Sequence, residues 1–291
     1  MKIKFLILAC FAIITFSAKS QTDSVSYWTY GGAGALNFSQ VSLTNWAAGG
    51  QNSMATNGLV NLFAKYAKNN ITWDNTLDLG YGIIKQGEAN FIKSDDKVDL
   101  SSKFGHKAAE RWFYTALFNF KTQMDDGYNY PNDSVVISTL LAPAYILYSL
   151  GMDYKPSANF TLFVSPATGK TTLVMDETLS NAGAFGLEAG KKSRTEIGGF
   201  LKMAYKREVM TNISFETKID LFSNYINNPQ NVDVNWEALL VMKVNKYIVA
   251  TLNTVVLYDD DVDILVDEKT GKKGPRVQFK ELFGLGLSYK F

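Results

Sequence analysis

Apolar and polar side chains alternate along most of the chain, which is the period of a β-strand and not that of an amphipathic helix. The clearest example spans residues 71–84, where one face is apolar and the other is polar and charged. The apolar face carries Ile71, Trp73, Leu77, Leu79, Tyr81 and Ile83, and the polar face carries Thr72, Asp74, Thr76, Asp78, Gly80 and Gly82. Residues 213–221 repeat the design, so we interpret both segments as strands of one repeating hairpin pattern.

The same pattern predicts about twelve strands in the whole chain. They lie near residues 34–43, 53–68, 71–84, 97–106, 112–123, 139–154, 159–165, 194–207, 213–224, 233–244, 248–259 and 277–291. An even number of strands is typical of single-chain bacterial membrane barrels, and it returns both chain termini to the same side.

The connections between these strands alternate in length. Short turns are predicted at residues 69–70, 107–111, 155–158, 208–212 and 245–247, and longer loops at 44–52, 85–96, 124–138, 166–193, 225–232 and 260–276. Short periplasmic turns and long outer loops are typical of transmembrane barrels, whereas a soluble β-sandwich, the alternative, does not explain the alternation. The sequence therefore predicts an all-β fold, a transmembrane antiparallel up-and-down β-barrel over residues 34–291.

The N-terminus has the features of an export signal. Lys2 and Lys4 precede an apolar run at residues 5–16, and small residues follow at 17–20, where a signal peptidase cleaves. The run is shorter than the roughly twenty apolar residues that a membrane helix needs. We predict a cleaved signal peptide over residues 1–20, followed by a short periplasmic segment over residues 21–33.

Composition narrows the possible partners and chemistry. Without residues 1–20 the chain keeps 26 basic and 28 acidic residues, a net charge of −2, so nothing favours a nucleic-acid partner. Cys10, the single cysteine, leaves with the signal, and neither a disulfide nor a thiolate metal site is then available. The sequence predicts no cofactor and no metal. No apolar stretch beyond the signal is long enough for a membrane helix, so membrane insertion must use strands.

The last predicted strand ends on an aromatic residue at the end of an apolar stripe. This arrangement resembles the signal by which the barrel assembly machinery recognises outer-membrane proteins, and we assign that signal to Leu285, Leu287, Tyr289 and Phe291. Aromatic residues also recur beside the predicted short turns, where a girdle would contact the outer-membrane lipids. The predicted location is the outer membrane of a Gram-negative cell.

Two stretches resemble a known family. Residues 42–53, after the first strand, read SLTNWAAGGQNS, and residues 274–281, leading into the last strand, read GPRVQFKE. Together they resemble an uncharacterised family of Bacteroidota outer-membrane proteins, a domain of unknown function, over nearly all of the mature chain. The resemblance implies a location and a fold, and it supplies no catalytic residues.

Charged residues on the polar faces of the strands are the candidate site. We expect them to line the barrel lumen, either paired with one another in a narrow wet interior or arranged as a selectivity lining for a small polar solute. Apolar residues in the same phase, such as Phe113, Leu117, Phe163 and Phe200, could constrict the lumen. The candidate lumen-lining residues are Asp74, Asp78, Asp99, Lys103, Lys121, Glu196, Lys202, Lys206, Glu216, Lys218, Asp220, Glu237, Lys243 and Lys280.

Other candidate chemistry is weak. A barrel lipid enzyme needs a serine activated by a histidine, and the single histidine, His106, is followed by Lys107 and Ala108 and lies in the outward phase. Residues 259–263, with Asp267 and Glu268 beyond them, collect carboxylates but lack the spacing of a calcium loop, so a solvated loop is favoured.

Three functions follow from these patterns. The favoured one is a narrow channel or transporter for a small solute. The alternative is a structural or surface-interaction barrel that acts through its long outer loops. A lipid-modifying enzyme is the third, and the sequence favours no enzymatic activity.

Overall fold

The computed structural model of the chain describes residues 26–44, 47–48, 50–262, 264–267 and 272–290. The predicted signal peptide at residues 1–20 lies outside the described residues, as do Phe291, Asp263 and Glu268.

Sixteen strands occur among the described residues. They are β1 (Trp28–Val41), β2 (Ser53–Lys68), β3 (Ile71–Gln86), β4 (Ile92–Lys107), β5 (Trp112–Thr122), β6 (Gly127–Tyr128), β7 (Val136–Ser138), β8 (Ala144–Ser157), β9 (Phe160–Leu173), β10 (Ser193–Met210), β11 (Ile213–Asn224), β12 (Val232–Lys243), β13 (Ile248–Tyr258), β14 (Ile264–Asp267), β15 (Lys272–Gly274) and β16 (Gln278–Lys290). The pairs β6–β7 and β14–β15 form two small separate hairpins, each within one loop.

The other twelve strands form one closed antiparallel barrel, which confirms the predicted fold class. Each barrel strand pairs with the next one along the chain, and β16 pairs with β1, where Ala33 lies opposite Lys290, to close the ring. Closure leaves no strand edge unpaired, which is the condition for a sheet to stand in a membrane.

Connections at the two ends of the barrel differ in length, as predicted. We call the end with connections 69–70, 108–111, 158–159, 211–212 and 244–247 the turn end, and the end with connections 42–52, 87–91, 123–143, 174–192, 225–231 and 259–277 the loop end. The loop 174–192 contains a short helix, α1 (Glu177–Asn181), whose first turn is capped by the Asp176 carboxylate. No helix among the described residues is long and apolar enough to cross a membrane.

Several predicted boundaries are wrong, and three of them change which residues belong to the barrel wall. The loop expected at residues 85–96 is reduced to 87–91, because the polar run from Lys93 to Lys97 belongs to β4 and its side chains have partners there. Strand β1 begins at Trp28, so residues 28–33 are barrel and not part of a periplasmic segment. Strand β9 continues to Leu173, well beyond the expected end at residue 165.

Two short turns depend on asparagine. Asn69 and Asn212 have positive φ angles of 51° and 65°, a conformation that asparagine tolerates and that β-branched residues avoid. We expect Asn212→Val to lower the free energy of unfolding by about 1–2 kcal/mol and Asn212→Gly to leave it nearly unchanged. Urea unfolding in lipid vesicles measures this difference. Asn70→Val is the matched control, because Asn70 lies in the turn 69–70 but only its neighbour Asn69 has a positive φ angle. An equal loss of unfolding free energy in Asn70→Val would contradict the explanation.

The outward face of the barrel is apolar. On β16 the side chains of Phe283, Leu285, Leu287 and Tyr289 are each more than half exposed, which places the described part of the predicted assembly stripe on the outside. Aromatic residues contact one another at the turn end, where the rings of Trp112 and Tyr154 lie 4.7 Å apart. An exposed apolar band with aromatic residues at its margin is suited to lipid and not to water.

Candidate functional site

The inward face of the barrel carries the charges. The structure places every predicted lumen residue in the inward phase of its strand, and all of them except Lys243 form ion pairs with other described residues. Lys243 lies at the turn end of β12, where its side chain is exposed.

Two ion pairs join opposite walls of the barrel. Strands β3 and β11 are diametrically opposed in the ring, and Lys218 Nζ on β11 lies 3.1 Å from Asp78 Oδ2 on β3. Strands β4 and β12 are also opposed, and Lys97 Nζ donates to both Glu237 carboxylate oxygens at 2.7 and 2.8 Å. We call these two pairs the crossing bridges. They show that side chains occupy the lumen at this level.

The crossing bridges belong to larger sets of charges. Lys97 also lies 3.8 Å from Asp99, which lies 3.7 Å from Lys121. Lys121 in turn pairs with Asp220 at 3.2 Å, and Asp220 pairs with Lys202 at 2.8 Å. Positive and negative charges alternate along this chain of contacts, so each charge in the middle of the lumen has a neighbour of opposite sign. Such pairing is what makes partly buried charges tolerable.

A second set of charges lies nearer the turn end. Asp153 on β8 is fully buried, and its carboxylate lies 2.7 Å from Lys103 and 3.4 Å from Lys155. Lys155 also reaches Asp74 on β3 at 2.8 Å, and its ammonium lies 5.1 Å from the centre of the Phe113 ring. This set, too, contains equal numbers of cations and anions.

Apolar side chains fill one side of the lumen. Leu117 on β5, Phe163 on β9, Phe200 on β10 and Phe222 on β11 are all buried and form one cluster, with Leu147 of β8 packed against it. The rings of Phe163 and Phe200 lie 6.4 Å apart. Leu117, Phe163 and Phe200 were predicted to constrict the lumen, and the structure brings them together.

The loop end of the lumen holds a different group of charges. Lys170 on β9 lies 2.6 Å from Asp233, 3.1 Å from Asp259 and 3.8 Å from Glu196. Arg194 pairs with Glu196 and with Asp261, each at 3.0 Å, and donates to the Gly186 carbonyl in the loop 174–192. We call these six charged residues the Lys170 cluster. They connect the barrel wall to two of the loops above it.

Several lumen charges were missed by the prediction: Asp95, Lys97, Asp153, Lys155, Lys170 and Asp233. Asp95 and Lys97 share the phase of Asp99, so continuing the alternation along β4 would have identified them. Lys170 could not be found in this way, because a register shift opposite Gly198–Phe200 changes the phase of β9 after Ser165.

The remaining candidates have ordinary positions. His106 is exposed near the turn end of β4, opposite Ile71 and Tyr114 in the sheet, and its side chain forms no hydrogen bond with a described residue. Asp259 and Asp261 pair with Lys170 and Arg194, and Asp260 accepts from Tyr258 and Asn231. Within the described ranges, no group of three or more His, Cys, Asp or Glu is arranged to hold a metal ion.

Solved structures to which this chain is similar include three at low sequence identity. The COG4313 outer membrane channel from Pseudomonas putida F1 has 11% sequence identity and a TM-score of 0.41, covering 93% of this chain and 100% of that one. The translocator domain of the autotransporter NalP from Neisseria meningitidis has 9% identity and a TM-score of 0.35, covering 99% and 96%. The P. putida toluene transporter TodX has 9% identity and a TM-score of 0.30, covering 92% and 80%.

The sequence comparisons point to a family without a known activity. No curated protein matches the chain. Residues 38–128, from the end of β1 to β6, match the model of a family described as a protein of unknown function (DUF3078). The match includes residues 42–53, the first stretch on which the resemblance rested, and ends before the second. The similarity to an uncharacterised family is thus confirmed for this part of the chain.

Proposed function

We propose that the protein is an outer-membrane barrel that forms a narrow channel or transporter for a small polar solute. The observation that carries the proposal is the lumen itself, where charges of both signs meet across the barrel in the crossing bridges. Apolar packing would stabilise a closed barrel at least as well, because buried ion pairs add little or no net stability. A charged lining, by contrast, determines which solutes can pass.

The crossing bridges also give the proposed channel a closed state. Their side chains occupy the lumen between Asp78 and Lys218 and between Lys97 and Glu237. A solute passes when these ion pairs separate. Each charged side chain then contacts water or the solute instead of its partner. The channel is therefore expected to conduct in small, intermittent steps.

The orientation follows from the connections. We propose that the turn end faces the periplasm and the loop end faces the outside of a Gram-negative cell, as short turns and long loops are arranged in known outer-membrane barrels. The apolar outward face contacts the outer-membrane lipids, and the stripe ending at Leu285, Leu287 and Tyr289 serves the barrel assembly machinery. Export by a signal peptide and a Bacteroidota lineage remain predictions from the sequence.

Planar bilayers test the proposed function. We expect the purified, refolded barrel to produce discrete single-channel openings in KCl, and we expect the heat-unfolded protein to produce none. Swelling of liposomes in a small sugar or amino acid solution gives a second measurement. A folded barrel that is silent in both assays would contradict the proposal.

One observation favours the alternative, a barrel that acts through its loops. Beside and within the hairpin β6–β7 at the loop end, Val135, Ile137 and Leu140 have about half of their surface exposed. Exposed apolar side chains on a loop can bind a partner at the cell surface. Deletion of this hairpin, if it spared assembly and conductance but abolished a surface phenotype, would favour this second function.

We further propose that the protein is not an enzyme. His106 is exposed on the outward face at the turn end, and its side chain has no hydrogen bond to a serine among the described residues. A histidine without a neighbouring nucleophile cannot perform the acyl transfer of a barrel lipase.

A further inference from the structure

We propose that the Lys170 cluster makes the channel selective for cations and forms a cation-binding vestibule at the loop end. This inference rests on the proposed function and adds the charge class of the solute.

The cluster already holds a cation. The Lys170 ammonium is surrounded by the carboxylates of Asp233, Asp259 and Glu196, and it lies 5.2 Å from the centre of the Phe222 ring. Carboxylates and an aromatic face are the groups that bind ammonium ions in proteins. Lys170 is therefore a tethered occupant of a site whose chemistry suits a free cation.

The charges of this cluster do not cancel, unlike those in the middle of the lumen. Glu196, Asp233, Asp259 and Asp261 bring four negative charges, and Lys170 and Arg194 bring two positive ones. About a third of the Asp261 side chain and about a fifth of those of Asp233 and Asp259 remain exposed to water. A mobile cation that enters from the loop end would neutralise part of the excess negative charge of the cluster.

A buried hydroxyl oxygen lies on the same face. Thr172 follows Lys170 by one inward position on β9 and lies opposite Arg194 in the β9–β10 register. Its hydroxyl is buried, with 1% of the residue exposed, and has no hydrogen-bond partner among the described residues. A buried hydroxyl without a partner is unfavourable by itself, and a cation or its hydration water would satisfy it.

The loops above the cluster reinforce its negative potential. Their acidic residues include Glu88, Asp125, Asp126, Asp133, Asp176, Glu177 and Glu188, and their basic residues include Lys191, Lys192, Lys272 and Arg276. A mouth with an excess of one charge concentrates ions of the opposite sign and repels ions of the same sign. Cations are thus favoured at the entrance and in the vestibule.

The test is the reversal potential in a planar bilayer with a KCl gradient. We expect K⁺ to permeate several-fold faster than Cl⁻ through the wild-type barrel. In Asp233→Asn with Asp259→Asn the permeability ratio should fall towards one, and in Lys170→Met it should rise. Glu110→Gln with Glu208→Gln removes two exposed carboxylates at the turn end, far from the Lys170 cluster and the loops above it, and should change the ratio little.

The outcomes separate the two proposals. Openings without cation preference in the wild-type barrel, or a preference that survives loss of Asp233 and Asp259, overturn this inference and leave the channel in place. A wild-type barrel without openings overturns the proposed function itself. Folding of each variant is checked by its heat-dependent migration on a gel, and the wild-type measurement decides the question even if a variant does not fold.

Discussion

Removal of both crossing bridges should raise the single-channel conductance several-fold. The variant that tests this combines Lys97→Met, Glu237→Gln, Lys218→Met and Asp78→Asn, so that each pair loses both of its charges. In the native barrel Lys218 reaches Asp78 at 3.1 Å and Lys97 reaches Glu237 at 2.7 Å from opposite walls. Neutral side chains of similar size have no attraction across the lumen, so the side chains can withdraw to their own walls.

Removing both partners protects the fold while it opens the lumen. Loss of one partner leaves a buried charge without compensation and costs about 3–5 kcal/mol, whereas loss of both is close to neutral. The charge exchange Asp78→Lys with Lys218→Asp restores the attraction with its direction reversed. This exchange is made in a barrel that retains the native Lys97–Glu237 pair. Its conductance should equal that of the native barrel, because both crossing bridges are then present.

A control variant shows whether the conductance depends on the ion pairs that cross the lumen or on the loss of any lumen charge. Lys206 and Glu216 form an ion pair at 2.6 Å between the neighbouring strands β10 and β11, and the pair does not span the lumen. Glu216 also lies 3.4 Å from Lys218, so the control is Lys206→Met alone, which leaves Glu216 paired with Lys218 and should leave the conductance nearly unchanged. If this control raised the conductance as much as loss of the crossing bridges, the bridges would not be the closing element.

The fold was predictable because a barrel imposes the same period on every strand. Strands β2 and β11 were predicted with their observed bounds, Ser53–Lys68 and Ile213–Asn224. Both have one face against apolar surroundings and one against the charged lumen, so alternation alone reveals them. The lengths of the connections support the barrel independently. Short and long connections still alternate along the chain when the predicted strand boundaries are shifted by a few residues.

Prediction failed where a local feature interrupts this period. Strand β9 was predicted to end at residue 165, just before Pro166, and proline has no N–H to donate to a neighbouring strand. In the structure Ser165 compensates: its hydroxyl donates to the Leu150 carbonyl at 2.8 Å and accepts from the Ala167 N–H at 3.2 Å. The strand therefore continues through a bulge, and the phase of Lys170 changes with it.

The partners in the lumen could not be predicted at all. Alternation indicates that Asp78 and Lys218 both point inward, but 140 positions separate them in the sequence. Which lysine meets which carboxylate depends on the strand order and on the stagger of the barrel, and neither is written in a local pattern. The crossing bridges and the Lys170 cluster are therefore properties of the closed barrel and not of any single strand.

The second large effect concerns stability. We expect Phe163→Ala to lower the free energy of unfolding by about 3–5 kcal/mol, the usual cost of truncating a buried phenylalanine. Phe163 is fully buried and packs with Leu117, Phe200 and Phe222 on one side of the lumen. Urea-induced unfolding in lipid vesicles, followed by tryptophan fluorescence, measures the loss.

The neighbouring residue provides the control. Val164 faces outward with 42% of its surface exposed, so Val164→Ala removes a side chain that contacts lipid and should cost about 1 kcal/mol or less. The comparison also tests what fills this side of the lumen. If water filled it, the Phe163 ring would already be solvated in the folded state, and the two substitutions would cost about the same. A large difference between them requires a dry apolar cluster in the lumen, because only a ring that is shielded from water in the folded state loses this much on truncation.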